Sequence, residues 1–233
     1  ATRAFCAKLS PLSAASEAAL LPPMCLNRYY VAEGVRRYSQ QTWHELYGDG
    51  GAPRAPCGGA MLGARKPHRP THPPLPGIDA VVRTLPAVVS FYVGMAEAEN
   101  HAVREAACLC AGELAAKLPT AALKPHASSL VAALTDCLDD QSWPVREGAC
   151  TACAQLLDHF APECAVQLPA LLRTFWEQLA DNIPSVRESA AAALAAAARA
   201  YGDDVRKDMV RELAVVLKAA EAQPAESARF DAL

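Results

Sequence analysis

The sequence predicts an all-α protein, an α-solenoid of antiparallel helical hairpins, and three observations lead there. A Val-Arg pair recurs at 103–104, 145–146 and 186–187, at spacings of 42 and 41 residues. After each pair the same helical pattern of apolar and small side chains follows. Before each pair stands a second apolar helix that opens on or near proline. A fixed period of about 20–50 residues marks a repeat architecture rather than a single closed core.

The in-phase match fixes the second helix of each unit. Counting from Val, offset +2 holds Glu105, Glu147 and Glu188, and offset +4 holds Ala107, Ala149 and Ala190. Offset +11 holds Leu114, Leu156 and Ala197, and offset +15 holds Leu118, Phe160 and Tyr201. Positions 0, +4, +11 and +15 share one helical face, with Arg and Glu on its flank. The first helices are "LPAVVSFYVGMA" (85–96), "KPHASSLVAALTDCL" (124–138) and "LPALLRTFWEQLA" (168–180). Proline suits a first helical turn, where its missing N–H has no partner to lose. Neither helix buries its apolar face alone, so the hairpins must stack.

This pattern resembles the HEAT-repeat family, relatives of the armadillo proteins. The resemblance is carried by "DDQSWPVREGACTACAQLL" and "DNIPSVRESAAAALAAAA" and covers about residues 78–220. It implies a structural ladder in which Arg104, Arg146 and Arg187 pair with acids such as Asp140 and Asp181. The first copy departs from the pattern, carrying "EAENHAVRE" without the aspartate.

The predicted organisation has three parts. Residues 1–47 form an N-terminal helical segment, with an amphipathic helix over 27–48 whose Val35-Arg36 reads as a diverged repeat. Residues 48–77 hold a Gly/Pro-rich insertion expected to be disordered; deleting 50–75 should leave the melting temperature nearly unchanged. Residues 78–233 carry the repeats, at about 78–118, 119–160, 161–201 and a partial unit at 202–233. Val205, Met209, Leu213, Val216 and Leu217 make one stripe on the last helix, so an uncapped C-terminal end open to self-association is expected. The start at Ala1 and the truncated last unit are read as a fragment of a longer array.

Composition narrows the functional classes. A net charge of −3 over 233 residues gives no basic face for nucleic acid. The longest uncharged run, 84–96, is too short for a bilayer span, so no membrane role is expected. The first apolar stretch is broken by Glu17 and is read as ending at Pro22-Pro23, which leaves no signal peptide. Nine cysteines without a secretory signal point to a reducing, intracellular and cytoplasmic setting.

Cys108-x-Cys110 and Cys150-x-x-Cys153 have the look of zinc thiolates. Cys108 and Cys150 share offset +5, however, where the third unit has Ala191, so they read as small packing residues. On that reading Cys150→Ala costs about 1 kcal/mol. The six histidines show no ligand spacing, and no nucleophile motif or phosphate loop is present. No cofactor, no metal and no catalysis are expected. A repeat-type metalloenzyme would need in-phase ligand clusters that the sequence lacks.

The expected function is a protein-binding scaffold or adaptor, with other proteins as partners and a concave surface lined mostly by the second helices. Asn100, His101, Trp143 and Asn182 fall in the predicted turns and are the candidate partner-binding residues. Trp143 stands out because the core does not need it there, and tryptophan is a common hot-spot residue. The alternative is a microtubule- or cilium-associated protein, since a turn-borne tryptophan resembles the tubulin-binding HEAT subgroup.

Overall fold

The computed structural model describes residues 14–47 and 77–222, and every described element is helical. The insertion read at 48–77, but for Gly77, and the last residues of the partial unit at 223–233 lie outside them. In chain order the helices are α1 (Ala14–Asn27), α2 (Glu33–Tyr47), α3 (Ile78–Arg83), α4 (Leu85–Ala96) and α5 (His101–Lys117). They continue as α6 (Thr120–Leu123), α7 (Ala127–Cys137), α8 (Trp143–His159) and α9 (Ala161–Cys164). Last come α10 (Leu168–Gln178), α11 (Pro184–Tyr201) and α12 (Asp203–Ala222).

Three hairpins, α4/α5, α7/α8 and α10/α11, match the three Val-Arg units. Pro86, Pro144, Pro169 and Pro184 each sit within the first two positions of their helix. The middle first helix does not open at Pro125. Lys124–His126 form a 3-10 turn there, and α7 follows from Ala127.

The second helices α5, α8 and α11 pack on one another along their length, more extensively than the first helices do. Small residues allow this approach. A Cβ added to Gly112 would lie 3.2 Å from Ala152 Cα, and one added to Gly148 would lie 3.4 Å from Cys108 Cβ. Larger apolar side chains fill the space between first and second helices. Val145, Leu156, Leu157, Phe160, Leu171 and Phe175 are all essentially inaccessible. At about 25 cal/mol per Å² of buried apolar area, such contacts are the main favourable term holding the stack.

Two N-terminal expectations are corrected. The amphipathic helix begins at Glu33 rather than 27, because residues 28–32 turn the chain back. And α1 runs through Pro22 and Pro23 to Asn27 instead of ending at them. The prolines remove N–H donors from that helix, but burial of Leu21, Cys25 and Leu26 against the first repeat outweighs the loss. The result is a fourth hairpin, α1/α2, docked through α1 on α4 and α5.

That joint holds a charge the sequence reading missed. Arg28 Nη2 donates to Glu113 Oε2 at 2.5 Å, with the two side chains only 5% and 6% exposed. Lys117 Nζ meets the other carboxylate oxygen at 2.7 Å, and the Arg28 guanidinium lies 4.7 Å from the Trp43 ring centre. Burial works to raise the Glu113 carboxyl, but the two cations prevail and hold it below its ordinary value.

At the far end α12 rests on α11 through Val205 and Met209. Val210, Leu213 and Val215 remain 66%, 46% and 59% exposed. Val216 and Leu217, the rest of the predicted stripe, are not described at side-chain level.

Candidate functional site

The turns before the second helices line one edge of the array, and a repeated arginine organises them. Arg104 Nη1 donates to the carbonyls of Ala98 and Glu99 in its own turn, at 2.7 and 2.8 Å. Its Nε and Nη2 reach forward to Asp140 of the next turn, at 2.6 and 2.9 Å. One unit on, Arg146 Nη1 bonds Asp140 O at 2.7 Å and Gln141 O at 3.2 Å, and its Nε donates to Asp181 Oδ2 at 2.9 Å. Arg187 Nη1 bonds Asp181 O at 2.6 Å.

Arg36 repeats the backward half of this arrangement, donating to Tyr30 O and Val31 O, six and five residues before it. Its forward neighbour position in the first repeat is Ala98, so among the described residues no carboxylate meets it there. Asn100 Nδ2 donates to Tyr30 OH at 3.2 Å and links the two turns instead.

Each aspartate also closes its own turn. Asp140 Oδ1 accepts from Ser142 N, and Asp181 Oδ1 accepts from Ile183 N, both at 2.8 Å. Such local side-chain bonding is what recommends aspartate for a turn. Burial works to raise the Asp140 carboxyl, but the Arg104 guanidinium and the Ser142 N–H outweigh it and hold the group below its ordinary value. A depressed carboxyl contributes stability that is fully present above its unfolded pKa, about 4, and is lost as pH falls through the folded value. Asp140 and Glu113 both behave this way. The melting temperature should therefore drop as pH falls below about 5, and Asp140→Asn should blunt that drop. A variant as acid-sensitive as the parent refutes the assignment for Asp140.

The candidate partner residues sit differently from their prediction. His101 and Trp143 are the first residues of α5 and α8 rather than turn residues, because Asn100 and Ser142 already adopt extended capping conformations. Asn100 is committed as an N-cap, its side chain accepting from Ala102 N at 2.9 Å. Asn182 is exposed in its turn. Trp143 is 45% exposed at the outer edge. These four lie in or beside the turns before α5, α8 and α11 and do not converge into a pocket.

Inside the array the cysteines form a second in-phase series. Cys137 Sγ donates to Ala96 O at 3.6 Å. One unit on, Cys150 Sγ donates to Gln178 Oε1 at 2.6 Å, and Gln178 Nε2 donates to Leu138 O. Cys137 and Gln178 are equivalent residues at the ends of α7 and α10. The offset +5 thiol of the second unit, Cys150, thus satisfies the last polar side chain of the next unit's first helix. The seven described cysteines are free thiols, all buried.

This revises the cost of Cys150→Ala. Removing the thiol leaves Gln178 Oε1 buried without a donor, which adds about 1–3 kcal/mol to the loss of packing. Paired replacement of Cys150→Ala with Gln178→Leu should cost less than the sum of the two changes, measurable by urea denaturation.

Among the described residues no group of three or more His, Cys, Asp or Glu is placed to hold a metal ion. No described helix is long and apolar enough to cross a membrane. A 480 Å³ groove runs between α1 and α2, lined mainly by apolar side chains such as Leu20, Met24, Val35 and Tyr38.

Hairpin stacking of this kind, with a fixed period and an Arg–Asp rung between successive Val-Arg units, defines an α-solenoid. Residues 101–156 match the family model of the HEAT-like repeat. The crystal structure of an engineered protein is similar in fold, with a TM-score of 0.50 at 16% identity, covering 82% of this chain and 70% of that one. A structure of Kap95p with RanGDP gives a TM-score of 0.47 at 14% identity, covering 81% of this chain but 26% of that chain. No curated protein matches the sequence. Residues 101–156 are thus similar to the HEAT-like repeat, and the described helices around them continue the same α-solenoid.

Proposed function

We propose that the chain is a non-catalytic, protein-binding scaffold. The observation that carries this reading is Trp143, a large apolar side chain held 45% exposed at a helix start where it packs no core. Tryptophan at a fixed, solvent-facing position supplies contact area at little entropic cost, which is why it recurs as an interface anchor. The close stacking of α5, α8 and α11 supports a curve whose inner side is formed by the second helices. A partner segment then lies along those helices, with Trp143 at one rim. Buried free thiols support a reducing compartment.

The test is photo-cross-linking from the Trp143 edge in the parent cell, followed by purified binding of whatever is captured. Trp143→Ala should weaken that binding by about 2 kcal/mol, with an unchanged melting temperature. Equal affinity of the variant would remove Trp143 from the interface.

Exposure of Val210, Leu213 and Val215 supports self-association of the chain through α12. Sedimentation should show a concentration-dependent dimer that Leu213→Glu dissociates. A parent chain that stays monomeric at high concentration rules this out.

A further inference from the structure

The edge formed by the turns before α5, α8 and α11 is strongly acidic. Across residues 94–105, 136–147 and 177–188, equivalent windows of the three units, ten acids stand against three arginines. That is a net charge of −7, where the whole chain carries −3. The arginines are already committed. Each bonds a carbonyl of its own turn, and Arg104 and Arg146 also hold Asp140 and Asp181. Glu97, Glu99, Asp136, Asp139, Glu177 and Glu188 are exposed, and among the described residues none of them is in an ion pair. Helix stability does not account for these charges. Glu97 is the C-cap of α4, and Asp136 and Glu177 sit in the last turns of α7 and α10. A helix C-terminus favours a cation, yet none of those three last turns holds a basic residue.

We infer that the partner of this scaffold is a protein segment rich in lysine or arginine, lying across the acidic turn edge. The inference rests on the binding role proposed above and names the chemistry of its partner. Uncompensated carboxylates of one sign raise a field that draws a basic segment and repels a polyanion such as nucleic acid. Trp143, 45% exposed at the middle turn, offers a ring face for a lysine or arginine head. Glu147 lies four residues on along α8, on the same side of the helix, and supplies the counter-charge. Ser185 Oγ donates to its Oε2 at 2.8 Å and steadies the carboxylate there. Burial and the neighbouring Glu147 push the Glu105 carboxyl above its ordinary value, so a cation placed beside the two relieves their repulsion.

The probe is a short fluorescein-labelled peptide alternating lysine and alanine, titrated with the intact chain in low salt. It should bind and added salt should weaken it, while a counterpart alternating glutamate and alanine should not bind. Removing three edge charges, Glu97→Gln with Glu99→Gln and Asp139→Asn, should weaken the lysine peptide about eightfold, at about twofold per exposed charge. Removing as many away from these turns, Asp79→Asn with Asp158→Asn and Asp203→Asn, should weaken it by less than about twofold, because net charge alone is not the cause. The edge variant should melt no lower than the parent, since its lost charges lie at or just beyond helix C-termini. Absence of lysine-peptide binding, or equal weakening by the two triple variants, overturns the proposal. So does binding that appears only when residues 50–75 are deleted, because the edge is then held by this chain's own insertion. Trp143→Ala, read with the same peptide, separates the two readings. If it weakens the peptide and the edge variant does not, Trp143 stands as an anchor and the basic partner falls. If only the edge variant weakens it, the basic partner stands without Trp143.

Discussion

Glu113→Ala should destabilise the chain by about 3–5 kcal/mol, read by urea denaturation with Trp43 fluorescence. The reason lies in what the substitution strands. Arg28 is 5% exposed and cannot return its charge to water without undocking α1. The Trp43 and Tyr29 rings lie 4.7 and 5.6 Å from its guanidinium and supply only part of the lost attraction. Breaking a buried pair from one side costs far more than the pair contributes net. Replacing both partners, Arg28→Met with Glu113→Leu, should therefore recover most of the loss. A single-site cost below about 1 kcal/mol would show that water reaches the pair.

Gly112→Leu should cost about 3 kcal/mol, whereas Gly112→Ala should change little. The glycine faces Ala152 on the neighbouring second helix, with Cα 3.2 Å and Cβ 3.3 Å from an added methyl group. For alanine, the gain in helix propensity of about 1 kcal/mol offsets a few tenths of an ångström of displacement. Leucine has no such escape, because the obstacle is partly backbone, and α5 and α8 must separate. Thermal denaturation of the two variants checks the contrast. Similar melting temperatures would mean that the joint opens freely.

Much of this was legible from the residues because a repeat announces its own phase. Val103, Val145 and Val186 fixed the second helices, and Asp140 and Asp181 lay where the arginines could reach them. The N-terminal hairpin was harder to read, since Pro22-Pro23 argues locally for a break that burial of α1 overrides. Gln178 gave no local sign of its role, because its partners Cys150 and Leu138 are 28 and 40 residues away. Glu113 did leave a trace. Its in-phase counterparts are Gln155 and Ala196, and an acid at a position otherwise neutral marks a local departure from the repeat. Trp143 is 45% exposed, and its capping residue Ser142 places it on the helix rather than in the turn the sequence suggested.

The forward-pointing rung has a bearing on how such a chain can change length. Each joint between successive Val-Arg units offers a guanidinium on one side and a carboxylate on the other, so these units are compatible with one another in the same order. Excising residues 147–187 joins Arg146 directly to Glu188 and removes Cys150 together with Gln178, so no buried acceptor is orphaned. Asp140 keeps Arg104, and Arg146 becomes the new last rung. A cut of half that length would set a first helix against a second and leave the rungs unmatched. Copy number in this array can therefore vary by whole periods, through duplication or loss in the gene, while each remaining joint stays chemically complete.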